Sequence, residues 1–106
     1  MTLDARGRLE ALEAVFAALA HPSRRQILMT VHFRNGMTSG EIADRFHHAW
    51  PTISRHLGIL EDAGLLVAER QGRTRLYRVD HDRLAVIPDW LRWFDAKPGA
   101  GKRLPR

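Results

Sequence analysis

Residues 50–66 form the segment that most restricts how this chain can fold. Ile53, Leu57 and Leu60 are spaced at i, i+4 and i+7, and this spacing predicts a helix with one apolar stripe that must be buried. Pro51 suits the first turn of such a helix, because the N–H that proline lacks would have no partner there in any case. The segment therefore predicts a helix that begins near Pro51 and packs on one side against a core.

The end and the outer face of this helix are equally specific. Gly64 suits the position after the last helical residues, where φ is usually positive, and Leu65 can then fold back onto the last turn. The face opposite the stripe is short, polar and rich in hydrogen-bond donors, and it consists of Pro51, Thr52, Ser54, Arg55 and, turned partly inward, His56. A helix that is anchored on one side and presents such residues near its start suits a DNA major groove. We therefore expect a DNA-recognition helix here.

The length and charge of the chain agree with a small domain that binds a polyanion. A chain of 106 residues has room for one compact domain, and its apolar fraction of 44% is sufficient for a core. The net charge of +5 favours a nucleic-acid partner, although charge alone is a weak argument. The chain contains no cysteine, which excludes disulfides and thiolate metal sites. It has no apolar run of about 20 residues and no signal-peptide pattern, so we expect a cytoplasmic protein without a membrane partner.

The residues before the recognition helix predict three further helices. Apolar residues at helical spacing place these helices at about residues 9–20, 23–33 and 39–47. Thr38 and Glu41 fit a capping box at the start of the third helix, and Met37 with Thr38 can add a short strand before it. Residues 1–8 are polar and are expected to be flexible. The third helix, a brief turn and the recognition helix together make a helix-turn-helix.

After the recognition helix the sequence period changes to that of strands. Residues 66–70 and 74–79 predict two strands around a turn at residues 71–73. The tip of this hairpin can reach into an electronegative minor groove with three arginines, Arg70, Arg73 and Arg75. The alternative is that these arginines are solvated at an exposed turn. Directly after a helix-turn-helix we favour DNA contact, which makes the hairpin a wing.

A final amphipathic helix is predicted over about residues 82–96, with Pro88 inside it. Proline in a helix interior removes a hydrogen bond and clashes with the preceding turn, so we expect a kink or a break near Ile87. Residues 97–106 are rich in Gly, Pro and basic side chains and are expected to form a disordered tail. The domain then spans residues 9–96, and its predicted fold is mainly α with a small β-hairpin: a winged helix-turn-helix of five helices plus a wing.

The first and last predicted helices carry more large apolar side chains than a small monomer needs. Left uncovered, these side chains would form an exposed apolar patch, and a twofold dimer is the simplest way to cover it. The residues expected at this dimer interface are Leu9, Leu12, Val15, Phe16, Leu84, Ile87, Trp90, Leu91 and Phe94. Such a dimer would present two recognition helices about 34 Å apart, one turn of DNA, and would read an inverted repeat. The alternative is that the tryptophans only cover the core of a monomer.

Several stretches of the chain closely resemble the ArsR/SmtB family of bacterial winged-helix repressors. The resemblance is carried, in the family's order and spacing, by residues 18–28, 41–43 and 51–66 and by the wing residues 72–79. It covers roughly residues 9–95. It implies a homodimer, paired through the first and last helices, that binds operator DNA in the bacterial nucleoid and blocks transcription, often of its own operon.

The sequence departs from the metal-sensing members of that family. Those members carry Cys-x-Cys on the helix before the recognition helix, or Asp/His ligand sets on the last helix, whereas here Asp80-His81-Asp82 has no second ligand cluster beside it. We therefore expect no metal and no other cofactor. Two alternatives stay open: a metal-responsive sensor, and a winged-helix protein-interaction module without DNA specificity. An enzyme is not expected, because the chain has no nucleophile–base pattern and no glycine-rich phosphate loop.

The residues expected to contact DNA have separate roles. Arg55 is expected to read a base, because a guanidinium can bond both O6 and N7 of guanine. His56 can bind a phosphate or satisfy a backbone carbonyl inside the domain, and both roles stay open. Two pairs of hydroxyl residues can reach bases or phosphates, Thr52 with Ser54 on the recognition helix and Thr38 with Ser39 at the start of the third helix. Capping alone already explains Thr38.

Overall fold

The chain folds into helices around a small sheet. This architecture is seen in a computed structural model that describes residues 4–99. The helices are α1 (Ala5–Leu19), α2 (Pro22–Phe33), α3 (Ser39–Phe46), α4 (Trp50–Asp62), α5 (His81–Leu84) and α6 (Val86–Leu91), followed by a 3₁₀ turn (Arg92–Asp95). The strands are β1 (Met37–Thr38), β2 (Leu66–Gln71) and β3 (Thr74–Val79). The predicted fold class is confirmed, with β1 widening the hairpin to three strands and the last predicted helix divided in two. No helix within residues 4–99 combines the length and the apolarity needed to cross a membrane.

The first helix begins four residues earlier than the apolar spacing predicts. The side chain of Asp4 accepts a hydrogen bond of 2.6 Å from an N–H of the first turn, and so caps a helix that starts at Ala5 rather than at Leu9. The sequence pattern missed this start because the apolar residues begin only at Leu9. Of residues 1–8, expected to be flexible, those from Ala5 onward are therefore helical, and the first three lie outside the described range.

The last predicted helix is broken at Ala85 into α5 and α6. Pro88 has no N–H to donate to the carbonyl of Leu84, four residues earlier, and its ring would clash with that carbonyl. The predicted break is thus confirmed, and it lies two residues before Ile87. Residues 97–99 form neither helix nor strand, and the rest of the expected tail lies outside the described range.

β3 is the central strand of the sheet, in the order β1-β3-β2 with both pairings antiparallel. β1 pairs Met37 with Tyr77 and so ties the start of the helix-turn-helix to the hairpin. β2 and β3 pair along their whole length, which leaves only Gly72 and Arg73 in the turn. Gly72 has a φ of +61°, a conformation that glycine adopts without steric cost. The hairpin is the predicted wing, and residues 69–75 around its tip are all exposed.

The core lies where α1 to α4 pack together over the base of the sheet. Its fully buried side chains include Val15, Ile27, Val31, Ile42, Ile53, Leu60 and Leu65. All three residues of the predicted stripe on α4, Ile53, Leu57 and Leu60, are buried. Burying one such side chain stabilises a fold by about 1.5–3 kcal/mol, so the three together hold α4 firmly on the core.

The end of α4 has the geometry that the sequence predicts. Gly64 has a φ of +79°, and its N–H donates to the Glu61 carbonyl at 2.9 Å. The N–H of Leu65 donates to the Leu60 carbonyl at 2.9 Å. These two bonds form a Schellman motif, in which Leu65 returns to the last turn of the helix and is fully buried. The helix therefore ends at a fixed point, with the wing starting directly after it.

Candidate nucleic-acid interface

The first turns of α4 carry polar residues on the solvent side of the helix. Pro51, Thr52, Ser54 and Arg55 are all exposed, while the intervening Ile53 is fully buried. Since α2 and α3 pack against the opposite side of α4, the helix presents this surface outward. The structure thus brings the four predicted residues onto one exposed, polar surface.

His56, by contrast, lies inside the domain between α2 and α4. It is 7% exposed, its Nδ1 lies 3.4 Å from a terminal nitrogen of Arg24, and its ring packs on that of His21 with the centroids 4.8 Å apart. Burial lowers the pKa of His56, and the nearby His21 and Arg24 lower it further. A guanidinium only donates, so Nδ1 accepts and Nε2 carries the proton of the neutral ring. The sequence left a phosphate or a backbone carbonyl as the partner of His56; within the chain its partner is instead Arg24.

Two arginines of α2 bind the end of α1. Nε of Arg24 donates to the Ala18 carbonyl at 2.7 Å, and another nitrogen of the same group donates to the Ala17 carbonyl at 3.3 Å. Arg25 donates to the Leu19 carbonyl at 2.8 Å. The last carbonyls of a helix have no partner inside it, so these charged donors stabilise the end of α1. Sequence reasoning missed this role, although two arginines just after a helix end were a visible signal.

The predicted capping box at the start of α3 is confirmed. The Thr38 hydroxyl accepts from the Glu41 N–H at 3.2 Å, and the Thr38 N–H donates to the Glu41 carboxylate at 2.9 Å. The donated N–H lowers the pKa of the Glu41 carboxyl. Ser39, the other hydroxyl residue expected here, is half-buried at the first position of α3. The hydroxyl of Thr38 is therefore already committed to the helix start.

The three arginines predicted at the wing tip have different surroundings. Arg70 donates to the Gly72 carbonyl at 3.2 Å, and Arg73 occupies the turn itself. Arg75 instead turns back toward α4, where it donates to the Glu61 carboxylate at 3.0 Å and lies 5.5 Å from the centre of the Tyr77 ring. The structure thus separates a tip pair, Arg70 and Arg73, from an arginine that links the wing to the recognition helix.

An exposed aromatic surface lies on the outer side of α1 and α6. The ring of Trp90 makes edge-to-face contacts with Phe16 at 5.3 Å and with Phe94 at 5.2 Å between centroids. Phe16 is 40% exposed, Trp90 is 37% exposed and Phe94 is 69% exposed. Leu91 and Trp93 beside them are about half exposed. We call these five residues the terminal face. Its exposure shows that the aromatic rings do not simply fill the core of one chain.

Two of the residues expected at the dimer interface are buried within one chain. Val15 has no exposed surface and Leu12 is 8% exposed, because their side of α1 faces α2 and α4 within the same chain. Three other residues expected at the interface, Leu9, Leu84 and Ile87, are only half-buried within the chain.

Within residues 4–99 no group of three or more His, Cys, Asp or Glu side chains is arranged to hold a metal ion. A histidine pair lies between α2 and α5, in which Nδ1 of His32 lies 2.9 Å from Nε2 of His81. One ring of this pair donates and the other accepts, so the pair is explained by a single hydrogen bond.

Comparisons with known proteins agree with this geometry. A family model described as a helix-turn-helix domain matches residues 19–69, which contain α2, α3 and α4. The transcriptional repressor SdpR of Bacillus subtilis is 35% identical over 79 residues, which cover 74% of this chain and 83% of that protein. The transcriptional repressor SmtB of Mycobacterium tuberculosis is 37% identical over 79 residues, which cover 74% of this chain and 58% of SmtB.

A solved structure extends the likeness to almost the whole fold. The crystal structure of an ArsR family transcriptional regulator matches with a TM-score of 0.75 and 30% identity, covering 90% of this chain and 93% of that one. The likeness therefore includes the terminal helices and the wing as well as the helix-turn-helix.

Proposed function

The chain belongs to the ArsR/SmtB family of helix-turn-helix transcriptional regulators, and on that premise we propose that it is a homodimeric repressor of an inverted-repeat operator. The observation that carries the proposal is that α4 is amphipathic: one side is a buried apolar stripe, and the other side is polar and exposed in the first turns of the helix. In this proposal the protein acts in the cytoplasm at the nucleoid and needs neither a metal nor a cofactor. Its named relatives are transcriptional regulators, in keeping with a sequence that has no catalytic pattern.

In the proposed complex, the start of α4 lies in the major groove. Arg55 bonds a guanine edge, which is worth about 1–3 kcal/mol of discrimination against other bases. Thr52 and Ser54 contact bases or phosphates beside it, and Pro51 packs close to the backbone. Ser39 at the start of α3 adds a phosphate contact, while Thr38 acts mainly as the cap of that helix.

The wing reaches the neighbouring minor groove in the same complex. Arg70 and Arg73 are placed at the exposed tip and supply the charge that such a groove attracts. Arg75 sets the angle of the wing through its ion pair with Glu61 on α4. The wing contributes affinity for any DNA, whereas α4 contributes sequence preference.

The terminal face supplies the dimer contact in this proposal. A twofold axis beside α1 and α6 covers Phe16, Trp90 and Phe94 with the same residues of a second chain. The two copies of α4 then lie about 34 Å apart and fit successive major grooves. Aromatic residues are frequent anchors of protein interfaces, which agrees with the composition of this face.

Fluorescence anisotropy on the protein's own upstream DNA, against scrambled DNA and across a salt series, tests the proposal. Arg55→Ala should bring the two affinities close together, because it removes the base contact. Arg73→Ala should weaken binding to both DNAs alike and reduce the salt slope by about 1. Arg6→Ala is the matched control, because it removes one exposed positive charge on α1, away from α4 and the wing, and it should leave the selectivity unchanged. Binding by both variants that equals that of the parent protein would refute the assignment.

Two further arms of the same assay separate the alternative functions. Operator release by zinc, reversed by EDTA, would favour a metal-responsive sensor and would direct attention to the His32–His81 pair. Equal, salt-sensitive binding to both DNAs would favour a basic winged helix whose specific partner is a protein.

A further inference from the structure

A concave surface with positive charge lies between the start of α2 and the start of α4. Its titratable lining consists of two arginines and three histidines, Arg24, Arg55, His21, His48 and His56, and no Asp or Glu belongs to it. We call this concavity the α2–α4 pocket. Because it holds cationic groups without any counter-charge, its natural occupant is an anion.

The chain itself uses some of these groups and leaves others available. The guanidinium of Arg24 is bound to the last carbonyls of α1, and Nδ1 of His21 accepts the Ser23 N–H at 3.2 Å, so both are structural. Arg55 and His48 are exposed at the rim of the pocket. The free donors therefore lie on α4 and on the connection that precedes it.

His56 gives the second and independent indication of a ligand. Its Nδ1 accepts from Arg24, which leaves the proton on Nε2, and no residue within 4–99 accepts a hydrogen bond from Nε2. Within the described residues no side-chain N or O atom is both sealed from solvent and without a hydrogen-bond partner. The Nε2–H of this ring, which is 7% exposed, is therefore not sealed from solvent, and His56 is one of the residues that line the α2–α4 pocket.

We propose that the α2–α4 pocket binds one phosphate group of the DNA backbone, through His48 and the Nε2–H of His56, beside the base-reading Arg55. The inference rests on the proposed DNA-binding function and adds a site to it. Thr52 and Arg55 belong both to the pocket and to the exposed start of α4, so a phosphate held here is continuous with the bases that α4 meets. The site fixes how deeply α4 enters the groove, because a phosphate contact positions the protein without reading sequence.

The test combines one protein variant with DNA whose charge is removed at single phosphates. Anisotropy is measured for the parent protein and for His48→Ala on upstream DNA that carries one neutral methylphosphonate at each position in turn. His32→Ala is the matched control, since it removes an exposed histidine outside the pocket. We expect one position per half-site at which the methylphosphonate weakens the parent about tenfold, as for the loss of one hydrogen bond to a charged group.

At that position the methylphosphonate should weaken His48→Ala clearly less than it weakens the parent protein, because one of the phosphate's donors is already gone, while His32→Ala should behave like the parent protein. If the losses of affinity caused by His48→Ala and by the methylphosphonate simply add at every position, the proposed phosphate site is wrong. Selective binding of the upstream DNA would persist in that case, so the proposed function would stand. Equal binding of upstream and scrambled DNA by the parent protein would instead refute the proposed function itself. Histidine NMR of the DNA-free protein with inorganic phosphate separates the sources: shifts of His48 and His56 without any methylphosphonate effect would overturn the DNA assignment in favour of a free anion.

Discussion

His56 is held uncharged by the side chains around it. Protonation of its ring would place a second positive charge beside Arg24 and would remove the lone pair that accepts from that guanidinium. His21, His48 and Arg55 surround it as well, and each of them also lowers the pKa of His56. The neutral ring is therefore part of the packing between α2 and α4.

We predict that His56 titrates below the ordinary histidine range in the DNA-free protein. Because its pKa is lowered in the folded state, the unfolded chain binds the proton more readily, and stability is lost as pH falls below about 6.5. Histidine NMR measures the titration, and urea unfolding at pH 7.5 and 5.5 measures the loss. His56→Gln should show a smaller difference between the two pH values than the parent protein. A titration midpoint of His56 above 6.5 would contradict the prediction.

Single residues of the site were predictable where their role follows from helical period alone. Arg55 and Thr52 lie on the outer face because they alternate with the buried stripe, and the sequence contains that alternation. Arg24 and Arg75 were not predictable in the same way. Their partners, His56 and Glu61, are 32 and 14 positions away in sequence, and only the packing of separate elements brings each pair together.

At the scale of elements, two glycines have opposite roles, Gly58 inside α4 and Gly64 just after it. Gly64, just after the helix, has a φ of +79°, and a Cβ there would lie 2.6 Å from Nε of Arg83. Gly58, inside the helix, has no such φ, and a Cβ there would meet nothing within 4 Å. The first glycine ends the element, and the second only weakens it.

Alanine at these two positions should therefore change stability in opposite directions. Gly64→Ala should lower the free energy of unfolding by about 1 kcal/mol or more, because an L residue in this conformation is strained. Gly58→Ala should raise the free energy of unfolding by up to about 1 kcal/mol, because alanine favours a helix interior over glycine by about that amount. Urea unfolding of both variants under the same conditions measures the two changes. A loss of stability for Gly58→Ala would mean that α4 needs this glycine for another reason.

The elements themselves were predictable to the extent that local chemistry determines them. The start of α3, the end of α4 and the hairpin follow from a capping box, a glycine at C′ and a two-residue turn. The start of α1 was missed because an isolated Asp4 before polar residues gives no apolar signal. The exact break between α5 and α6 lies next to Leu84, because Pro88, four residues later, cannot donate to the Leu84 carbonyl.

At the scale of the whole molecule, the chain is more extended than its length requires. Its described residues have a radius of gyration of 16.1 Å and span 52 × 28 × 22 Å. A compact domain of this length has a radius of about 13 Å. The excess is in keeping with the proposed dimer, in which α1 and α6 pack against a second chain.

Replacing one ring of the terminal face should separate the proposed dimer without unfolding the chain. Phe94→Asp should weaken dimerisation at least tenfold, because Phe94 is 69% exposed in one chain and an interface anchor is commonly worth about 2 kcal/mol. Phe33→Asp is the matched control on α2, where the ring is 88% exposed. Sedimentation velocity over a concentration series measures both. Dissociation by Phe33→Asp alone would move the interface to α2.

The side chain of Arg24 connects the two ends of the proposed mechanism. One guanidinium holds carbonyls in the last turn of α1, a helix of the terminal face, and contacts His56 on α4, the proposed recognition helix. A displacement of the end of α1 must either carry that guanidinium away from His56 or break its bonds to Ala17 and Ala18. In the proposed dimer, subunit association and operator binding would then be coupled through this one side chain, and the coupling free energy would be the same in both directions.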